Sequence, residues 1–138
     1  MTPNDQSPQS LPDEAAMREA VDAYLAAFAD HDVERCLAFF AEDASLDFQI
    51  TTFTGKSQIA EWHRDRFAAN LRLVRLERIT VRRNIVTVDA VGSSDRLAAW
   101  NVQALPGRIT MRFADGRIVS CRFAARMVNP VDLIRSAD

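Results

Sequence analysis

The hydrophobic period of this chain, mostly helical at first, becomes two throughout after Asn70, and that change restricts the available folds more than any other feature. Before it, apolar residues recur at helical spacing. Met17, Val21, Tyr24, Leu25 and Phe28 fall on one face of a helix that ends near Asp30. Asp32 is placed to cap a second, shorter helix with Val33, Cys36, Leu37 and Phe40 as its buried stripe. Residues 45–52 alternate as a strand, with Leu46, Phe48 and Ile50 on one face and Ser45, Asp47 and Gln49 on the other. Gly55 breaks the chain before a third helix, where Ile59, Trp62, His63 and Phe67 share a face. After Asn70 the period is two, and strands are expected near 71–82, 84–92, 96–105, 107–114 and 117–128. The dipeptide Asp115-Gly116 supplies the positive φ angles of a tight hairpin.

Helices first and antiparallel strands afterwards read as an α+β chain. The expected architecture is a cone-shaped α+β barrel, three N-terminal helices packed on a curved, mostly antiparallel sheet, and a cone encloses a pocket. The 138 residues suffice for one domain, which should bury roughly 68% of its unfolded surface without disulfide or metal staples. That domain is expected over residues 13–129. Residues 1–12, with Pro3, Pro8 and Pro12 among polar residues, read as a disordered lead-in, and 130–138 as a tail.

Hydrophobic residues make up 48% and charged residues 26%, which excludes a chain that is disordered throughout. No stretch approaches the length of a membrane span or a secretory leader, so a cytoplasmic location without a membrane partner is expected. Cys36 and Cys121 lie far apart without metal-ligand spacing and read as buried free thiols, with no metal site. Residues 1–70 carry 5 basic and 13 acidic side chains, residues 71–138 carry 12 and 6. The basic run Arg72, Arg75, Arg78, Arg82 and Arg83 alternates with aliphatic residues and lacks interleaved aromatics. It therefore reads as a solvated strand face or a subunit contact, and no nucleic-acid partner is expected. Gly55-Lys56-Ser57 resembles the end of a phosphate loop, but Ile50 stands where that motif needs its first glycine.

The run from Ala20 through Tyr24, Phe28 and Asp32, continuing through Leu37, Phe40, Asp43 and Ala44, resembles the opening helices of the nuclear transport factor 2-like superfamily, with its SnoaL-like and ketosteroid isomerase-like branches. The stretch Phe53 to His63 resembles its third helix, and Asp115 to Val119 its last hairpin. The superfamily includes isomerases, polyketide cyclases, dehydratases and proteins without chemistry. The resemblance implies no cofactor. It matches Tyr24 to the helix-1 tyrosine that donates to an oxyanion in the isomerase branch, and His63 to a position beside it. Phe48 occupies the place of that branch's general-base aspartate, and Ile109 the place of its second acid. No carboxylate occurs over residues 108–113, so steroid isomerisation by that branch's mechanism is not expected.

Three candidate catalytic residues follow. Tyr24 is either a core tyrosine tied to a neighbour or a donor that polarises a ligand oxygen. His63 is either a satisfied helix residue or a proton shuttle, since neutral imidazole can take a proton near pH 7. Asp47 would act as a base only if a bulge turned it inward; strand parity instead directs Phe48 into the cavity. Asp89 is a weaker candidate, and His31, between helices 1 and 2, is expected to face solvent. Phe48, Trp62, Phe67, Trp100, Met111 and Phe123 are candidate walls of a hydrophobic pocket. The expected function is a cofactor-independent enzyme acting on a hydrophobic small molecule by proton transfer, of isomerase, cyclase or dehydratase type. The alternative is a non-catalytic small-molecule-binding or accessory protein on the same scaffold. Arg122 and Arg126 alternate with Cys121, Phe123 and Ala125 in the last strand, and this arginine face motivates an expected homodimer.

Overall fold

In the computed structural model, residues 13–126 are described, so the expectations for 1–12, 130–138 and the end of the last strand lie outside the described residues. Helix α1 (Glu14–Ala29) starts where the Asp13 carboxylate accepts from the Ala16 N–H at 3.1 Å, satisfying one of the four free donors of the first turn. Its buried face carries Met17, Val21, Tyr24, Leu25 and Phe28. Asp32 caps α2 (Val33–Leu37) in the same way through the Arg35 N–H. Gly55, at φ 84°, opens α3 (Gly55–Ala68), whose buried residues are Ile59, Trp62 and His63.

The strands are β1 (Phe40–Phe48), β2 (Thr51–Thr54), β3 (Arg72–Arg82), β4 (Ile85–Ser93), β5 (Leu105–Ala114) and β6 (Arg117–Ala125). They form one sheet in the order β2-β1-β6-β5-β4-β3, antiparallel except for the parallel pair β1 and β6. Register shifts on β3, near Leu73 and Leu76, and on β6 at Val119, opposite Arg112 and Phe113, bend it. The sheet curves without closing, and the helices complete the cone.

The register assigns every strand residue to a face. Phe48, Phe123, Ile109, Val88 and Ile79 stand side by side across five strands, as do Leu46, Cys121, Met111, Val86 and Val81. These apolar rows face the helices. The row between them, Thr52, Asp47, Arg122, Thr110, Thr87 and Thr80, faces away. Because the side-chain period is two, a slip of one residue would exchange the polar and apolar rows wholesale, and burial fixes the register against it.

Three expectations are corrected here. The strand at 45–52 is two strands: Gln49 adopts φ 58° in a tight turn, and Ile50 is fully exposed at the tip instead of continuing the apolar face. Phe40 belongs to β1 and not to the stripe of α2. The strand expected at 96–105 is instead a short helix, α4 (Asp95–Ala99), followed by a turn and irregular chain up to β5, because the Ser94 hydroxyl accepts from the Leu97 N–H and starts a helical turn. Among the described residues no helix is long and apolar enough to cross a membrane.

Candidate functional site

The concave side of the sheet holds a cavity of about 630 Å³, within the range typical of small-molecule sites. Phe48, Phe123 and Ile109 of one inner row form its floor together with Ala90. Leu71 and Leu73 line one side, and α4 and the segment after it bring Leu97, Trp100, Leu105 and Pro106 to the mouth. The charged residues that line it are Arg66, Arg96, Arg108 and Arg122; among the described residues neither a carboxylate nor a histidine does. Arg108 and Arg122 lie in outward-facing rows, and Arg108 donates to Asp89 from Nε at 2.7 Å. Arg66 and Arg96 come from the helices instead. Both donate to Asp65, holding its carboxyl well below the ordinary carboxylate range, the Arg96 hydrogen bonds being the larger cause. The Arg66 guanidinium also lies over the Phe48 ring, its Cζ 4.8 Å from the centroid.

Tyr24 and His63 meet, each from the buried stripe of its helix, as the resemblance implies. The Tyr24 Oη lies 2.8 Å from the His63 Nε2, and the His63 Nδ1 lies 2.8 Å from the Ile59 carbonyl oxygen. A carbonyl only accepts, so the imidazole proton is on Nδ1 and donates to Ile59. Burial opposes a second proton, lowering the His63 pKa to about 4. Nε2 is therefore a bare acceptor, and the tyrosine donates to it. Burial also raises the Tyr24 pKa well above its ordinary value, so the phenol keeps its proton. Neither side chain is exposed, and neither lines the cavity. Phe28, Phe40, Phe67 and Trp62 surround the imidazole with centroids 4.9 to 6.2 Å away, and Trp62 in turn packs on Phe123 at 4.7 Å and on Phe48 at 5.6 Å. The pair thus sits behind an aromatic layer whose far side is the cavity floor.

The structure separates the other candidates. Phe48, Phe123 and Trp100 line the cavity, Trp100 at its mouth and 83% exposed instead of on a core face. Trp62, Phe67 and Met111 do not line it: Trp62 stands behind the floor, Phe67 packs against Phe28 and His31, and Met111 lies in the inner row nearer the core centre. Asp47 faces outward between Thr52 and Arg122 and accepts from the Thr52 hydroxyl at 2.6 Å; the register shift of β1 lies before Ser45, and the regular pairing from Ser45 to Phe48 does not turn Asp47 inward. Asp89 is buried on the outer side, where Arg108 holds its carboxyl below the ordinary range. His31 is half-buried; its Nε2 donates to the Leu71 carbonyl at 2.9 Å and its ring stacks on Phe67. Arg66 and Arg96 went unnoticed in the sequence. Arg66 was legible as the residue one turn after Trp62 on the same helix face, whereas Arg96 needed α4 to be recognised.

The chain matches the SnoaL-like domain family over residues 21–121. A comparison with curated proteins gives no match. Solved structures with the same fold include a candidate polyketide cyclase from Sinorhizobium meliloti, 21% identical, covering 78% of this chain and 97% of its own with a TM-score of 0.68. A second is an NTF2-like protein of unknown function from Cytophaga hutchinsonii, 12% identical, covering 86% of this chain and 94% of its own, with a TM-score of 0.66. A third is the epoxide hydrolase/cyclase-like enzyme SalBIII of pyran ring formation in salinomycin, 17% identical, covering 83% and 94%, with a TM-score of 0.73. At these identities the likeness is one of fold. With helices closing a curved sheet over a cavity, and with the family matched across most of its length, this chain belongs to the SnoaL-like domain family.

Proposed function

We propose that the protein binds a hydrophobic small molecule in the cavity of the cone. The observation that carries this reading is the floor formed by Phe48, Phe123 and Ile109, an apolar surface held open beneath an arginine-bearing mouth. A fluorescence titration with the neutral probe 9-anthracenemethanol tests it. Saturable binding at one site, weakened by Phe48→Asp in the floor, is expected. Absence of saturable binding overturns the reading.

A second reading is favoured by the hydrogen bond between Tyr24 and His63, directly behind Trp62, and by the family. It is a cofactor-independent enzyme acting by proton transfer, of isomerase, cyclase or dehydratase type, in which Tyr24 polarises a substrate oxygen and His63 shuttles the proton. It requires Trp62 or Phe123 to swing aside during turnover, and it leaves Asp47 without a part. On a substrate found by screening cyclic ketones and epoxides, His63→Ala would then lower turnover about 10²–10⁴-fold. Parent rates for both His63→Ala and Tyr24→Phe would make the pair structural.

The proposal extends to a homodimer through the outer face, where Ile85 is exposed between Arg82 and Arg112. A monomer by light scattering at tens of micromolar would exclude it.

A further inference from the structure

Trp62 and Arg66 stand one turn apart on α3 and flank the same Phe48 ring, the indole centroid 5.6 Å and the Arg66 Cζ 4.8 Å from its centre. Each carries a buried N–H without an acceptor among the described residues, the Trp62 Nε1 and the Arg66 Nε. Buried donors are almost always paired, because the hydration they give up is otherwise not replaced. Two orphans, four residues apart beside a ring that lines the cavity, call for an acceptor this part of the chain does not supply.

The charges at the same end have the matching sign. A guanidinium offers five N–H donors in a fork that fits a carboxylate. Among the described residues Arg66 uses one, from Nη2 to the Asp65 Oδ2 at 2.7 Å. The Asp65 carboxylate also takes both terminal nitrogens of Arg96, at 3.1 and 2.9 Å. Two cavity-lining arginines therefore share one carboxylate, and one positive charge is left over. An apolar floor with unfilled donors and excess positive charge at one end is complementary to an amphipathic anion.

We infer that the ligand is an apolar carboxylate. Its hydrocarbon body lies on Phe48, Phe123 and Ile109, and its carboxylate accepts from Arg66 and Trp62. Arg96 is a positioning residue that holds Arg66 through Asp65. Both orphan nitrogens are closed to solvent, so binding must shift a neighbouring side chain; Phe48, which packs on both residues and lines the cavity, is the one that turns. The inference rests on the cavity being a ligand site, as proposed above.

Matched titrations with anthracene-9-carboxylate and 9-anthracenemethanol test it at neutral pH. The carboxylate is expected to bind roughly tenfold or more tightly than the alcohol, the scale of a charge-assisted hydrogen bond. Arg66→Met and Trp62→Phe should each bring the ratio of the two affinities toward one, while Arg112→Met, which removes a positive charge from the outer face, should keep it. Arg66→Lys, which retains a charge for Asp65 without the fork, covers the case in which Arg66→Met fails to fold, and should also lower the ratio. Equal affinities for the two probes in the parent protein, or a ratio unmoved by these variants, would overturn the inference and leave the cavity reading standing. Binding of neither probe would overturn both.

Discussion

The Tyr24 hydroxyl donates to the His63 imidazole over 2.8 Å in the centre of the aromatic core, while the opposite ring nitrogen is held by the Ile59 carbonyl. Every strong hydrogen-bonding group of the imidazole is thereby used, in its neutral form and in one tautomer. The arrangement also places a titratable group where it cannot be charged without breaking something. Protonating Nε2 would turn the Tyr24 hydroxyl from donor into acceptor and leave its proton buried without an acceptor.

Stability should consequently depend on pH through His63. Its folded pKa, about 4, lies below the unfolded value of about 6.5, so between these limits the unfolded chain binds the extra proton. The stabilisation is complete above pH 6.5 and is lost as pH falls toward 4. Between pH 7.5 and pH 5 the loss is roughly 2 kcal/mol by linkage. Urea unfolding at the two pH values should show this difference in the parent protein, and His63→Phe should remove that part of it. An equal pH dependence in parent and variant would contradict a buried neutral imidazole.

Tyr24→Phe retains the ring and removes the donor, leaving Nε2 buried without a partner. The expected cost is about 1–3 kcal/mol. His63→Ala adds a cavity to the lost hydrogen bond. A double-mutant cycle on unfolding free energies should give a coupling of about 1 kcal/mol or more between the two positions, and additive effects would mean that the hydrogen bond contributes nothing net.

Much of this arrangement was legible in the sequence, and the parts that were not share a cause. The stripes Met17 to Phe28 and Ile59 to Phe67 placed Tyr24 and His63 on the buried sides of their helices, because helical period decides which residues share a face, and the family resemblance implied that the two meet. The alternation of Leu46, Asp47 and Phe48 correctly separated Asp47 from the cavity. Periodicity failed where few residues carry it. The hairpin tip at Gln49 and Ile50 continues the alternation of its strand, and only the left-handed φ of Gln49 breaks the chain there. The turn of α4 is too short for a period, and its signal was the single capping residue Ser94. Nor could spacing show that the Tyr24–His63 pair lies behind the floor and not in it, since that depends on how Trp62 and Phe123 pack across elements.

The opposite faces of β1 should separate in mutagenesis. Asp47→Ala removes an outward carboxylate paired with Thr52 and should change stability by no more than about 0.5 kcal/mol, with anthracene binding unaltered. Phe48→Ala should weaken that binding measurably. The reverse order in the titrations would restore Asp47 to the site.

Cys36 and Cys121 should be inert in the native protein. Both are buried, and burial pushes the Cys36 thiol up to about 12 and the Cys121 thiol higher still. The thiolate is the reactive form, so labelling with a chromogenic disulfide should wait on unfolding and then modify both. Rapid reaction of either thiol without denaturant would show that its surroundings open.

The most direct test of the cavity reading uses two isoleucines. Ile109 lies in the cavity floor, whereas Ile85 is exposed in the outward-facing row beside Arg112. With the Cδ1 methyl groups labelled, a nuclear magnetic resonance titration with anthracene-9-carboxylate should shift the Ile109 signal saturably and leave that of Ile85 in place. A saturable shift of Ile85 with Ile109 unmoved would place the ligand on the outer face and contradict the cavity as the binding site.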